Sequence, residues 1–167
     1  ISDAVVDYYL SNCSFPEKAR VACETMVTTN KVIIAGEVRG DGELQNIDND
    51  EIERITRRVI KSIGYEQETF HWNNVKVNVN LHAQSVDIGR GVDGVEKNQE
   101  GAGDQGIMFG YASNETDVFM PYPIKLSHEL LKELRNKRMK KEIINLGPDA
   151  KSQFSIKYRN GKPVGLH

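Results

Sequence analysis

A glycine-rich polar segment near the middle of the chain limits most strongly what the sequence can fold into. Residues 83–105 carry five glycines and lack the regular apolar spacing found on either side. A segment of this length without secondary structure of its own is usually functional or disordered rather than a simple connection. The sequence therefore predicts two similar regions, one before and one after this segment.

The first region opens with a helix pattern and continues with a hairpin pattern. Apolar residues recur at helical spacing over residues 1–12. Residues 21–27 and 32–38 are rich in β-branched and apolar side chains, with the turn residues Thr29 and Asn30 between them. Two such runs joined by a short turn predict an antiparallel hairpin.

An amphipathic helix and a further strand complete the first region. Isoleucine and valine recur at helical spacing over residues 52–63, where Asp48 or Asn49 can cap the start and Gly64 can end the helix. Residues 75–81 then alternate apolar and polar side chains. That alternation predicts a strand with one face exposed to solvent.

The second region repeats the order of strand, helix and strand. Residues 107–111 form a short apolar run that predicts a strand, and a leucine-rich helix pattern follows the Pro-Tyr-Pro sequence at 121–123. Residues 154–158 alternate up to Asn160 and Gly161, a strong hairpin signal. Two β-α-β units with hairpins predict an α+β fold, with mixed or antiparallel sheets packed against helices.

The overall composition excludes several classes of protein. The net charge of −2 favours neither non-specific nucleic-acid binding nor attachment to an anionic membrane. No apolar run approaches the roughly 20 residues that span a bilayer. Cys13 and Cys23 lack metal-ligand spacing, and two free thiols in a reducing compartment are favoured over one disulfide. We therefore expect a cytoplasmic protein without a nucleic-acid or membrane partner.

One motif in the glycine-rich segment is misleading. Residues 101–106 match G-x-G-x-x-G, but polar residues precede them and the predicted strand at 107–111 follows them. A dinucleotide fingerprint needs a buried strand before it and a helix after it, so this reading is rejected. The glycines still let the backbone approach a ligand closely, and Asp104 offers a carboxylate for a substrate ammonium group. The alternative to a ligand-binding role is that these residues form a flexible surface loop.

Several short blocks along the whole chain, taken in order, resemble S-adenosylmethionine synthetase. They are ARVACET at 19–25, AGE at 35–37, IGY at 63–65, QSVDI at 84–88, GVD at 91–93, EGAGDQGIMFGYA at 100–112, NET at 114–116 and PDAKSQ at 148–153. The block at 100–112 resembles a signature of that family and is very specific.

The resemblance implies a methionine adenosyltransferase, which makes S-adenosylmethionine from ATP and L-methionine and releases phosphate and pyrophosphate. Family members use Mg²⁺ and K⁺. They form homodimers or tetramers (dimers of dimers) with active sites at a subunit interface. The expected organisation is an N-terminal domain over residues 1–83, a glycine-rich gating loop with the signature over 84–106, and part of a central domain over 107–167. The chain would then be an internal fragment that lacks the start of the first domain and the end of the second.

The resemblance also implies roles for single residues. Matching positions are Lys151 for catalysis, Glu37, Gln84 and Asp104 for methionine, Asp149, Ala150 and Lys151 for ATP, and Glu24 for K⁺. The family's magnesium ligands fall outside this chain. None of the four histidines, His71, His82, His128 and His167, matches a catalytic position, so we expect them to be surface or packing residues.

Two other interpretations stay open at the level of sequence. A piece of this family that lacks both magnesium aspartates could fold or form dimers without catalysis, or serve as a regulatory subunit. An unrelated nucleotide-binding module could use the glycine-rich segment alone, which predicts ATP binding that does not depend on methionine.

Overall fold

The computed structural model describes residues 1–40, 48–84 and 106–167. It has two compact units, Ile1–Gly106 and Ile107–His167. Apart from its two ends, the predicted gating loop at 84–106 lies outside the described residues, and so does Asp104.

The first unit combines two helices with a three-stranded sheet. Its elements are α1 (Ser2–Asn12), a 3₁₀ turn (Pro16–Lys18), β1 (Arg20–Thr28), β2 (Lys31–Arg39), α2 (Asn49–Ile63), β3 (Glu66–Gln67), β4 (Phe70–His71) and β5 (Lys76–Ala83). The sheet has the order β1-β2-β5, with β1 antiparallel to β2 and β2 parallel to β5. The predicted mixed sheet is therefore confirmed.

Local signals set the hairpin and the ends of α2 as predicted. The β1–β2 turn contains Thr29 and Asn30, and Asn30 takes the positive φ of 52° that asparagine tolerates in turns. Asp48 caps α2, since its carboxylate accepts from the N–H groups of Asp50 and Glu51 at 3.0 Å. Gly64 ends the helix with a φ of 94°.

The core of the first unit lies between the sheet and the two helices. One face of β2 buries Val32, Ile34 and Val38, and α2 packs Ile52 and Ile60 into the same cluster. Helix α1 contacts β1 and α2, while α2 contacts β5. Because strand side chains alternate between faces, the other face of the sheet is left outside this core.

An arginine attaches α2 to the chain that enters β5. Arg57 Nη1 donates to the carbonyls of Trp72 and Asn73 at 2.9 and 3.1 Å, and Nη2 donates to Val75 O at 2.9 Å. Glu53 completes the arrangement, because its Oε1 accepts from both Nε and Nη2. The short β3–β4 pair precedes this segment and was not predicted, since two-residue strands leave no periodic pattern in a sequence.

The second unit contains one helix and one hairpin, α3 (Tyr122–Met139), β6 (Ile156–Arg159) and β7 (Lys162–Leu166). The helix and the hairpin are confirmed, and Asn160 and Gly161 both have positive φ angles at the turn. The predicted strand at 107–111 is wrong. Those residues have no regular structure, and Met108 is 93% exposed. A strand needs a pairing partner, and among the described residues none lies beside this segment.

No helix in the described part of the chain is both long enough and apolar enough to cross a membrane. Both cysteines are buried free thiols.

Candidate functional site

The sheet face that points away from the core carries two of the predicted site residues. We call it the open face, and it holds residues 22, 24 and 26 of β1, 33, 35 and 37 of β2, and 78, 80 and 82 of β5. Glu24 and Glu37 both lie on it, because each is one position along its strand from a core residue, Cys23 in β1 and Val38 in β2. The sequence predicted these two carboxylates separately, and strand pairing brings them onto one surface.

The two carboxylates are diagonal neighbours across the β1–β2 pair. Glu24 lies opposite Ala35, and Glu37 lies opposite Ala22. Diagonal positions in an antiparallel pair are about 7–8 Å apart. Since both intervening side chains are alanines, the surface around the two carboxylates has room for a small ligand or cation.

Glu37 has a partner that the sequence did not reveal. It pairs across β2 and β5 with His82, and His82 Nε2 lies 3.2 Å from Glu37 Oε1. The Glu37 side chain is 29% exposed and the His82 side chain 66% exposed. The two residues are 45 positions apart in sequence, so the contact follows only from the parallel register of β2 and β5.

Gln84 follows directly after β5 at the edge of the same sheet. Its backbone N–H donates to Val38 O at 2.9 Å and so extends the parallel ladder by one bond. The side-chain Oε1 is buried and has no hydrogen-bond partner among the described residues. A buried unpaired acceptor is unusual in a protein, and a donor on a ligand would satisfy it.

The predicted ATP-binding segment lies in the second unit, where it passes along α3. Ser152 Oγ donates to Ser127 O of the helix at 2.9 Å and fixes the segment there. Lys151 and His128 both line an open cleft of about 730 Å³ between the segment and α3. Lys151 and Asp149 are exposed, and Ala150 is half-buried.

The NET sequence at 114–116 has a structural role that sequence reasoning did not assign. Glu115 Oε2 accepts from Tyr158 Oη at 2.7 Å and from the N–H of Tyr122 at 3.1 Å, and Ser113 Oγ donates to Oε1 at 3.2 Å. The Tyr158 hydroxyl, with the Tyr122 N–H and Ser113, lowers the pKa of Glu115. One carboxylate thereby joins the start of α3 to strand β6.

The described residues do not contain a ready metal site. Within residues 1–40, 48–84 and 106–167, no group of three or more His, Cys, Asp or Glu side chains is placed to hold a metal ion. Glu24 offers one carboxylate, a ligand type suited to a hard cation, but a single side chain is not a complete coordination shell.

Two sequence models of one family match nearly the whole chain. The N-terminal domain of S-adenosylmethionine synthetase matches residues 1–86. The central domain of S-adenosylmethionine synthetase matches residues 99–167.

Proteins with the same name are similar along the full chain. The S-adenosylmethionine synthase of Parvibaculum lavamentivorans is 55% identical over 166 residues, which is 99% of this chain and 41% of the relative. That of Methylorubrum extorquens is 53% identical over 98% of this chain and 41% of the relative. That of Rhodopseudomonas palustris strain BisB5 is 50% identical over 99% of this chain and 43% of the relative. The chain thus spans about two-fifths of the length of the curated relatives it matches.

Proposed function

The chain belongs to the S-adenosylmethionine synthetase family, and on this basis we propose that it is part of a methionine adenosyltransferase. The reaction joins L-methionine to the adenosyl group of ATP. The observation that carries the proposal is the consecutive match to two domains of the family, over residues 1–86 and 99–167. Chance similarity would not produce both domains in order at 50–55% identity to named synthases.

The open face supplies groups suited to methionine. In this proposal Glu37 accepts from the substrate ammonium group, a charge-assisted hydrogen bond of the stronger kind. Gln84 lies two residues beyond His82, and its buried Oε1, which has no partner in the described part of the chain, would accept a second hydrogen bond. Asp104, outside the described residues, would add a further carboxylate near the substrate.

The segment beside α3 supplies groups suited to ATP. In this proposal Asp149 and Ala150 contact the nucleotide, and Lys151 places its ammonium group by the polyphosphate. The methionine sulfur attacks C5′ of ATP, a C5′–S bond forms, and the C5′–O bond to the triphosphate breaks. The sulfur becomes a sulfonium as the triphosphate leaves with the bonding electrons. A cation fixed near the leaving group lowers that barrier, because charge develops there in the transition state.

The triphosphate is then hydrolysed to phosphate and pyrophosphate in this proposal. No general base is needed for the first step, because the attacking sulfur of the thioether carries no proton. Lys151 acts there as a point charge, which suits a polyphosphate whose oxygens shift position during departure.

The proposed metal ions are Mg²⁺ and K⁺. Magnesium bound to the triphosphate would neutralise phosphate charge, and its protein ligands would come from outside the described residues. Glu24 supplies one oxygen for K⁺, and the exposed position of its carboxylate opposite Ala35 is compatible with that role. Further ligands are required to complete the K⁺ site and the Mg²⁺ site.

We propose a cytoplasmic homodimer or tetramer whose active sites lie at a subunit interface. The domains would be residues 1–83 and 107–167, with a gating loop over 84–106 that closes over the substrates and excludes water. The two compact units, which meet at residues 106 and 107, support that division.

The test is to measure S-adenosylmethionine by mass spectrometry after the intact protein is mixed with ATP, methionine, Mg²⁺ and K⁺. We expect product, and we expect Lys151→Ala to lower kcat by about 100-fold, as for the loss of one oxyanion donor. The KM for methionine should change little. Lys157→Ala, an exposed lysine on β6, is the matched control and should leave kcat unchanged.

Two other results would contradict the proposal, and a third would contradict only the role of Lys151. A folded protein without product would favour the non-catalytic or regulatory subunit. ATP binding that does not depend on methionine would favour an unrelated nucleotide-binding module. Product formation with normal kcat in Lys151→Ala would remove Lys151 from the chemistry while leaving the reaction assigned.

A further inference from the structure

The pair formed by Glu37 and His82 has a consequence for substrate binding. The two residues face each other across parallel strands β2 and β5, with 3.2 Å between His82 Nε2 and Glu37 Oε1. An ionised carboxylate can only accept hydrogen bonds, so Nε2 must carry the proton in this contact. The contact therefore fixes which ring nitrogen is the donor, whether His82 is neutral or charged.

We propose that His82 is a positioning residue for Glu37 in methionine binding. Its Nε2–H holds Oε1 of the carboxylate in one place and leaves Oε2 to accept from the ammonium group of the substrate. This inference rests on the proposed function, which gives Glu37 the ammonium contact, and it adds a residue to that site.

Physical reasons favour such a role for this position. A glutamate has three side-chain torsions, and freezing them when a ligand binds costs conformational entropy. A partner already bonded to one oxygen lowers that cost before the ligand arrives. Across the β1–β2 pair, Ala22 lies opposite Glu37 and has no side-chain group that could donate to the carboxylate.

Loss of the hydrogen bond between His82 and Glu37 should affect kcat and the KM for methionine differently. The ammonium group is held equally before and during the attack of the sulfur on C5′, so its contact is uniform binding. Loss of the positioning bond should therefore raise the KM for methionine and leave kcat nearly unchanged. A residue that only supported the fold would alter kcat, the KM for ATP and the thermal midpoint together.

The experiment compares variants of the intact protein in steady-state assays with methionine or ATP varied. We expect His82→Leu to raise the KM for methionine about fivefold, the effect of one modest hydrogen bond. The change in kcat and in the KM for ATP should stay below about twofold. His82→Gln should restore the KM for methionine, because its amide nitrogen can donate from a similar reach.

A matched control comes from the same strand and the same face. Asn78 is exposed on β5 and lies opposite Ile33, away from any carboxylate of β2. Asn78→Leu should leave every constant unchanged. A rise in the KM for methionine with Asn78→Leu equal to that of His82→Leu would overturn the inference, because the effect would then follow from apolar substitution on this strand.

Glu37→Gln distinguishes failure of this inference from failure of the proposed site. A raised KM in Glu37→Gln with no change in His82→Leu would overturn the role of His82 alone. An unchanged KM in Glu37→Gln would overturn the ammonium contact itself. If both single variants raise the KM, the double variant should be no worse than Glu37→Gln, and an additive double variant would show that His82 acts independently of Glu37.

Discussion

The two units of the molecule differ in what becomes of their apolar side chains. Every buried side chain among the described residues belongs to the first unit, where α1, α2 and the sheet cover one another. In the second unit α3 has no buried residue, and Ile107, Met108, Phe109 and Tyr111 are between 78 and 93% exposed. Buried apolar packing holds the elements of the first unit in place. In the second unit, exposed hydrogen bonds and ion pairs contribute more to the positions of the elements.

That difference implies different sensitivity to substitution. Burial of apolar surface contributes about 25 cal/mol per Å², and close packing adds a penalty for any change in shape. A single hydrogen bond near solvent contributes less to stability than the burial of a large apolar side chain. Equivalent substitutions should therefore cost more in the first unit than in the second, and matched pairs of variants can test this.

The largest expected difference comes from two glycines with positive φ angles. Gly36 in β2 has a φ of 150°, and a Cβ there would lie 2.0 Å from the Ala22 carbonyl oxygen of the paired strand. Gly161 in the β6–β7 turn has a φ of 73° with open space around it. Gly36→Ala therefore meets both a backbone restriction and a collision that the strand pairing cannot relieve, whereas Gly161→Ala meets the restriction alone.

We expect Gly36→Ala to destabilise the β1–β2 hairpin by about 3 kcal/mol, at the upper end of ordinary single substitutions. Gly161→Ala should destabilise the β6–β7 hairpin by about 1 kcal/mol, the cost of a left-handed residue with a Cβ. Amide hydrogen exchange read by mass spectrometry measures both hairpins in one experiment. Equal losses of protection would mean that the collision with Ala22 is relieved at no cost.

A smaller effect tests whether polar contacts also matter in the first unit. Arg57 donates to three carbonyls in residues 72–75 and pairs with Glu53 at 2.6 Å, while its neighbour Arg58 is exposed. Arg57→Ala should lower the free energy of unfolding by about 2 kcal/mol, because three carbonyls, two of them in part-buried hydrogen bonds, lose their donor. Arg58→Ala should change it by less than about 0.5 kcal/mol.

Urea unfolding followed by the fluorescence of Trp72 measures this pair, since Trp72 is the single tryptophan and lies in the contacted segment. The free energy of unfolding of Arg57→Lys should fall between those of Arg57→Ala and Arg58→Ala, because an ammonium group cannot donate to three carbonyls in a fixed fork. The same midpoint for Arg57→Ala and Arg58→Ala would show that the segment before β5 holds its position without the arginine.

The sequence predicted features that depend on neighbouring residues. Asp48 and Gly64 mark the ends of α2 because capping and left-handed termination are local, and the turn residues Asn30 and Gly161 mark hairpins for the same reason. The open-face positions of Glu24 and Glu37 also follow from alternation along each strand. Their diagonal placement required the register of β1 against β2.

Features that depend on residues distant in sequence could not be predicted. His82 meets Glu37 only after β5 pairs in parallel with β2, and Glu115 meets Tyr158 across 43 positions. The strand predicted at 107–111 failed for a related reason. An apolar run indicates that a segment can pair, but a strand forms only where a partner edge lies beside it.

The smallest expected effect concerns Glu115, the polar connection in the second unit. Its pKa lies below the ordinary value of 4.5, chiefly because the Tyr158 hydroxyl donates to it, and the same bond raises the pKa of Tyr158. A carboxyl whose pKa is depressed by folding stabilises the folded state above its unfolded pKa. That contribution should be lost as the pH falls below 4.5 and through the folded pKa.

The comparison of wild type with Glu115→Gln isolates this contribution from the titration of other carboxylates. We expect the variant to show less protection from hydrogen exchange at the start of α3 at neutral pH, and the difference should shrink as the pH falls. Glu133→Gln serves as the control, because Glu133 is exposed on α3 and its Oε1 lies 3.6 Å from Lys137 Nζ on the same helix. A difference that stayed constant across the pH range would mean that the neutral carboxyl holds α3 and β6 as well as the ionised one. The connection would then depend on the shape of the Glu115 side chain rather than on its charge. In that respect the second unit would resemble the first, where close packing determines the structure.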